Sequence, residues 1–211
     1  MRQTPKCLIW DFDGVLCDSL SKAVDIHNAI AKQKIVEVPF VSSRDSYSAC
    51  LADLIKSMDD KEIDKYYLAH RELMYEHRKE FPLFCDIIRF IINCRIPSVI
   101  LTATYEKLVV DVFKNNGIDY KVFKEIIGRE TPGNKLSKIK SFLKKYNMHN
   151  YEVLAIGDSP SDMAFCHCCG IPFIAVGYGY YSFEVFDATQ VVSVCKTEHD
   201  LINLIQTYCE L

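Results

Sequence analysis

An α/β fold is what this 211-residue sequence predicts: a parallel sheet covered by helices on both faces, with a helical insertion after the first strand. Three observations carry that expectation. Short, continuous apolar runs at 7–10, 98–101, 153–156 and 173–176 read as strands buried on both sides, as parallel strands are. Stretches with apolar residues at three-to-four spacing separate those runs. From Ser19 to Phe81, only the helical pattern appears. The composition agrees, with 49% hydrophobic and 25% charged residues, ordinary for a globular chain. It excludes disorder, collagen and coiled coil as the main organisation, and the length suits one core domain carrying a compact insert.

The elements follow in order. The run at 7–10 ends at Asp11 and enters a loop. In the insertion, Ala23, Ile26 and Ile30 share one helical face, and Ile63, Tyr66, Tyr67, Leu73 and Met74 share another behind Asp59 and Asp60 as candidate N-caps. Residues 39–43 read as a loop between helices, and Pro82 marks the end of the insertion. Helices are then predicted over 85–94, over 106–115 with Gly117 closing it, over 135–146, over 161–169 before Gly170, and over 198–208. A further strand is predicted at 191–194. The arrangement resembles a Rossmann-like core, 1–17 with 82–211, carrying a helical cap at 18–81.

Several partner classes are excluded by the same reading. Lys+Arg total 25 against Asp+Glu 28, a net charge of −3, so no basic excess draws the chain onto nucleic acid. No apolar run approaches the ~20 residues that span a bilayer, so no membrane partner is expected. The 10 cysteines sit in apolar runs (Cys7, Cys94, Cys195) or on predicted helices (Cys50, Cys166, Cys169). A core of this size supports itself without disulfides, and residues 1–6 lack the pattern of a secretion signal. Free thiols in a reducing cytoplasm are the expectation. The group Cys166-His167-Cys168-Cys169 lacks the ligand spacing and second half-site of a zinc motif.

In open parallel sheets ligands lie beyond the carboxyl ends of the strands, so the polar residues there are the candidates. The first strand runs into Asp11-Phe12-Asp13-Gly14-Val15-Leu16-Cys17-Asp18-Ser19. Asp11 and Asp13 lie on one side of an extended segment, where a cation relieves their repulsion; the plainer reading is a pair of loop aspartates capping the next helix. Val99-Ile100-Leu101 leads into Thr102-Ala103-Thr104, a hydroxyl and backbone N–H groups suited to a phosphoryl oxygen, or simply a helix start. Gly133-Asn134-Lys135 opens a helix with a lysine that can act as a point cation, as can Lys138 one turn on. Gly157-Asp158-Ser159-Pro160-Ser161-Asp162 places two more carboxylates at a strand end, a donor type that suits Mg²⁺.

Together, in this order, the four motifs resemble those of the haloacid dehalogenase superfamily, in particular its phosphatase-like members with a helical first-type cap, the phosphoglycolate phosphatase and β-phosphoglucomutase-like group. The stretch Asp11 to Ser19 is similar to the family's first motif; Thr102, Lys135 and Gly157-Asp158-x-x-x-Asp162 fall on the second, third and fourth. The resemblance implies a phosphatase acting on a small phosphorylated metabolite. In it Asp11 is the nucleophile that forms an aspartyl-phosphate, and Asp13 is general acid and then base. Thr102, Ala103 and Lys135 bind the phosphoryl group. Mg²⁺ is held by Asp11, the Asp13 backbone carbonyl and Asp158, with Asp162 beside it. An intact Asp13 argues against carbon–halogen cleavage, since only a leaving oxygen needs its proton. Departures are Leu136 after Lys135, where relatives often carry proline, and Leu83-Phe84 where a glycine is common. The cap stretch Val41-Ser42-Ser43-Arg44-Asp45-Ser46 loosely resembles the cap loop of the mutases, which makes Arg44 a candidate substrate contact and a sugar-phosphate mutase the alternative. A non-catalytic binding module is the third reading; it predicts a lost carboxylate, and none is lost. Lys138 is expected to reach solvent, Arg44 has a plainer reading as a solvated first-turn residue, and the run Gly177-Tyr178-Gly179-Tyr180-Tyr181 is a candidate entrance lining. Oligomeric state is not legible in the sequence.

Overall fold

The computed structural model describes residues 4–209, apart from three side chains on the second helix at 52, 55 and 56. Six strands form one parallel sheet: β1 (Cys7–Trp10), β2 (Ser98–Leu101), β3 (Phe123–Ile127), β4 (Val153–Gly157), β5 (Phe173–Val176) and β6 (Ser193–Cys195), in the order β3-β2-β1-β4-β5-β6. Residues alternate between two apolar layers. Leu8, Trp10, Ile100, Leu154, Ile156 and Ile174 face one, and Cys7, Ile9, Val99, Val153, Ala155 and Phe173 face the other. The first layer is covered by α4 (Cys85–Asn93), α5 (Glu106–Asn115) and α8 (Glu198–Cys209), the second by α6 (Lys135–Tyr146) and α7 (Pro160–Cys169). With both faces covered, β1, β2, β4 and β5 are buried throughout. That is why they read as unbroken apolar runs. Trp10, inside the sheet, satisfies its indole N–H on Ser98 Oγ at 3.0 Å.

Three helices lie between β1 and α4 in the chain: α1 (Leu20–Lys32), α2 (Arg44–Ser57) and α3 (Asp60–Glu76). Ser43 caps α2 and Asp59 caps α3, each side chain accepting the backbone N–H three residues on. The polar centre of this unit is His27 on α1. Its Nδ1 lies 2.9 Å from Tyr66 Oη, and its Nε2 lies 2.8 Å from the Pro39 carbonyl. A carbonyl only accepts, so Nε2 carries the proton and Nδ1 accepts from the tyrosine.

Two elements differ from expectation. Strand β3 was not anticipated: at the sheet edge its burial is partial, and Lys124 and Glu125 break the apolar run that marks the other strands. The last strand is Ser193–Cys195 rather than 191–194. Gly117 and Gly170 both take positive φ, +72° and +64°, just past α5 and α7.

The order places β1 at the switch point, with β2 on one side and β4 on the other. Chain connections leave this seam in opposite directions, so the loops after β1 and β4 part and open a crevice.

Candidate active site

Asp11 follows β1 directly, its N–H donating to the Ile156 carbonyl of β4 at 2.9 Å. That bond fixes the residue at the seam between the two strands. One carboxylate oxygen accepts the Phe12 N–H at 2.8 Å, and the other accepts Lys135 Nζ at 2.7 Å. Lys135, the first residue of α6, also reaches Asp162 Oδ1 at 2.9 Å, and so lies between two carboxylates. Asp158, at the end of β4, accepts the Tyr180 N–H on Oδ2 at 2.7 Å. Asp162, in the first turn of α7, accepts Ser159 Oγ at 2.8 Å.

The close approach of these groups requires glycine at two points. Gly14, at φ +72°, lies so near Asp158 that a Cβ there would stand 2.1 Å from Oδ2. A Cβ at Gly179 would meet the same oxygen at 2.4 Å. Neither position admits a side chain without displacing Asp158.

Burial raises the pKa of the carboxylates, because it disfavours the charged form. Asp11 is pushed up to about 7 by burial, against the pull of Lys135 and with Asp162 and Asp13 adding repulsion. Asp158 lies well above the usual range through burial and the nearby Asp11, despite the Tyr180 N–H. Burial works against the Lys135 charge, yet Asp11 and Asp162 overcome it and raise the ammonium pKa. Asp13 is also raised by burial, with the Thr104 and Ser19 hydroxyls opposing. Those hydroxyls hold both of its oxygens: Ser19 Oγ donates to Oδ1 at 2.8 Å, and Thr104 Oγ1 to Oδ2 at 2.5 Å.

Asp11, Asp158 and Asp162 each offer an oxygen within 4.8 Å of the others, the metal-capable group among the described residues. Hard oxygen donors, mutually repelling and desolvated, fit a hard cation such as Mg²⁺. The Asp13 carboxylate lies outside this set.

The remaining sequence candidates fall as follows. Thr102 is buried at the tip of β2, its Oγ1 accepting the Thr104 N–H at 3.0 Å. Ala103 lines a cavity of about 430 Å³ together with Thr104, Arg71 and Arg129. Lys138 corrects the expectation of a solvent-facing side chain: it is buried, and its Nζ donates to the Gly128 carbonyl at 2.7 Å, below the loop after β3. Residue 138 is three positions after 135, which returns it to the covered side of α6. Arg44 is not simply solvated; its Nη1 donates to the Gly177 and Gly179 carbonyls at 3.1 and 3.3 Å. Two groups at the site have no role in the sequence reading, Ser19 and Thr104. Both lie inside quoted motifs, where a hydroxyl six residues after Asp13 and another two after Thr102 are the available signals. Tyr180 belongs to the run read as an entrance lining; the structure instead sets its N–H on Asp158 and its hydroxyl beside Ser19.

Comparison with known proteins supplies the family. Residues 8–176 match the model of the haloacid dehalogenase-like hydrolases. The chain belongs to that family. A curated relative, the phosphoglycolate phosphatase of Chromobacterium violaceum, is 24% identical over 216 aligned positions, covering 93% of this chain and 96% of that protein. Among solved structures, a haloacid dehalogenase-like family protein from Streptococcus pneumoniae superposes with a TM-score of 0.79 at 20% identity, over 96% of this chain and 99% of that one. A predicted phosphoglycolate phosphatase from Haemophilus somnus gives 0.76 at 16% identity, over 98% and 100%. At these identities the superpositions establish the α/β fold.

Proposed function

We propose that this protein is a Mg²⁺-dependent phosphatase that hydrolyses a small phosphorylated metabolite through an aspartyl-phosphate on Asp11. As a member of its family related to a named phosphatase, the chain is a phosphoric monoester hydrolase. The observation that carries the finer reading is the convergence of Asp11, Lys135 and Asp162 in direct contact, with Asp158 within ligand distance, at the seam of β1 and β4.

In this reading an Asp11 carboxylate oxygen attacks phosphorus and the bond to the leaving oxygen breaks. Asp13 gives that oxygen its proton, so the product leaves as an alcohol. Asp13 then takes a proton from water, whose oxygen attacks phosphorus. The Asp11–phosphorus bond breaks and inorganic phosphate is released. Lys135 and the backbone at Thr102 and Ala103 balance the charge of the transferring group. Asp11, Asp158 and Asp162, with the Asp13 carbonyl, would hold Mg²⁺, which supplies positive charge to offset repulsion between anionic ester and anionic nucleophile. Residues 18–81 serve as the cap and the rest as the core. The cavity beside Thr104 lies where α3 of the cap meets the core, and its Arg71 and Arg129 have no carboxylate partner among the described residues. This lining suits a small anionic substrate, phosphoglycolate among them. No helix among the described residues is long and apolar enough to cross a membrane; a cytoplasmic location and a small-molecule partner belong to the same proposal.

A sugar-phosphate mutase is the second reading, and it rests on Arg44 gripping a distal phosphate. That guanidinium donates instead to two backbone carbonyls of the loop after β5, which favours hydrolysis. The deciding experiment incubates the protein with a panel of phosphomonoesters, with Mg²⁺ or with chelator, and measures free phosphate. Mg²⁺-dependent release is expected. Conversion of β-glucose 1-phosphate to glucose 6-phosphate without free phosphate would establish the mutase.

A further inference from the structure

Tyr180 joins three parts of the molecule that the reaction brings together. Its backbone N–H donates to Asp158 Oδ2 at 2.7 Å. Its hydroxyl lies 3.1 Å from Ser19 Oγ, which donates to Asp13 Oδ1 at 2.8 Å. Its carbonyl accepts Ser48 Oγ of α2 at 2.7 Å, and its ring packs on Tyr47 with centroids 5.9 Å apart. Arg44, on the same helix, holds the carbonyls of Gly177 and Gly179 just ahead of it in the loop. The loop after β5 is therefore strapped to the insertion by α2 and to the acid–base residue by one phenol.

The direction of the hydroxyl chain follows from counting protons. Ser19 has one, and it goes to Asp13 Oδ1, so toward Tyr180 the serine oxygen accepts. The chain then runs from the Tyr180 O–H to Ser19 and from the Ser19 O–H to Asp13. An acid that becomes a base within one cycle needs neighbours able to serve both forms. Ser19 and Tyr180 do so, because each hydroxyl both donates and accepts and the chain can reverse when Asp13 is protonated. A lysine or a backbone N–H at that place would bind one form only.

We propose that Tyr180 is a positioning residue for the acid–base step, its hydroxyl fixing Asp13 through Ser19 while α2 of the insertion holds the loop that carries it. The proposal rests on the phosphatase reading above and concerns only which residues set the Asp13 carboxylate in place.

Leaving-group chemistry tests it. An alkyl phosphate such as phosphoglycolate needs its leaving oxygen protonated, whereas 4-nitrophenyl phosphate releases a stable anion and needs no acid. The quantity kcat/KM reports events through departure of the leaving group, so its alkyl-to-aryl ratio isolates proton donation. Tyr180→Phe keeps the ring and the N–H on Asp158, and it should lower that ratio at least tenfold. Ser19→Ala should lower it likewise, and the double variant should lose no more than the worse single one, since both act along one chain. Ser48→Ala, which frees the Tyr180 carbonyl, should shift the ratio in the same direction by a smaller factor. An unchanged ratio in Tyr180→Phe overturns the proposal, whether both esters slow equally or neither does. Additive losses in the double variant overturn the route through Ser19. An unmoved ratio in Ser48→Ala overturns the part assigned to the insertion. Failure of the unaltered protein to hydrolyse either ester overturns the phosphatase reading itself.

Discussion

The strand-end site and the helical insertion are held together by opposite means. At the site, charged groups contact one another directly: Lys135 lies between Asp11 and Asp162, and Asp158 is pinned by the Tyr180 N–H. In the insertion the central polar group is neutral, His27 between Tyr66 and the Pro39 carbonyl, with burial lowering its pKa further. The site keeps its carboxylates at a cost in stability, since burial raises both Asp11 and Asp158. Among its described residues the insertion holds no such carboxylate cluster; its buried histidines, His27 and His70, are instead kept neutral by burial, His70 down to about 4. The difference teaches where function resides: groups held against their own preference do chemistry, and groups held in keeping with it position the rest.

The sharpest test of that contrast is Asp11→Asn. The amide is nearly isosteric and loses the nucleophile and a metal oxygen together. Turnover should fall by at least about 10³-fold, the scale on which loss of a nucleophile is felt. The circular dichroism spectrum should be unchanged. A folded variant with ordinary turnover would remove Asp11 from the chemistry.

The two lysines of α6 separate catalysis from support. Lys135→Met leaves two buried carboxylates without their cation and should lower turnover by about 10²-fold, the order seen when one charge-stabilising donor is removed. Lys138→Met removes the donor to the Gly128 carbonyl and should act on stability, about 1–3 kcal/mol for a buried acceptor left unpaired. Steady-state rates and urea unfolding of both variants check this. A larger rate loss in the second would reverse the assignment.

Legibility in the sequence follows the same division. Asp11, Asp13, Asp158 and Asp162 were legible because each lies within a few residues of an apolar strand, and the strand, once recognised, fixes which end faces ligand. Lys135 was legible because it opens a helix. Lys138 misled because a lysine three positions on reads as surface unless the Gly128 carbonyl is known to lie opposite. Strand β3 escaped because an edge strand carries charge, Lys124 and Glu125, where central strands do not. Tyr180 is legible only as part of an aromatic run; its contact with Ser19 is not, because the two are 161 residues apart and no local pattern encodes such a pair. In the insertion, helices were legible from apolar spacing, but the His27–Tyr66 contact spans 39 residues and had no signature.

That contact supplies the next test. Tyr66→Phe leaves His27 Nδ1 buried without its donor, and should destabilise the protein by about 1–3 kcal/mol. Because the Tyr66 hydroxyl bonds to His27 and not to Asp13, Ser19 or Tyr180, the alkyl-to-aryl ratio of kcat/KM should stay where it is in the unaltered protein. Thermal melts together with that ratio check the outcome. A changed ratio with an unchanged melt would make the insertion's polar centre part of the chemistry.

The mildest effect expected is a pH-dependent gain in stability from Mg²⁺. Burial pushes the Asp11 pKa up to about 7 in the folded protein, against an ordinary carboxylate value of 3.8 in the unfolded chain. A carboxylate with a raised folded pKa disfavours the fold at alkaline pH, and that penalty fades as pH falls from 7 toward 3.8. Asp158 is shifted in the same direction. A divalent cation binds the deprotonated form, so at pH 8 it relieves the repulsion in full. A hundredfold excess of Mg²⁺ over its Kd then adds about 2.7 kcal/mol. At pH 5.5 a proton must leave first, which weakens binding about tenfold for each pH unit below 7. The gain falls to about 1 kcal/mol, and at roughly 2–4 °C per kcal/mol the melting shift shrinks by several degrees. Melting curves with Mg²⁺ and with chelator at the two pH values measure it directly. Equal shifts at both would show that the cation binds away from Asp11 and Asp158. A shift present at pH 8, small at pH 5.5 and abolished by Asp158→Asn would tie it to these carboxylates.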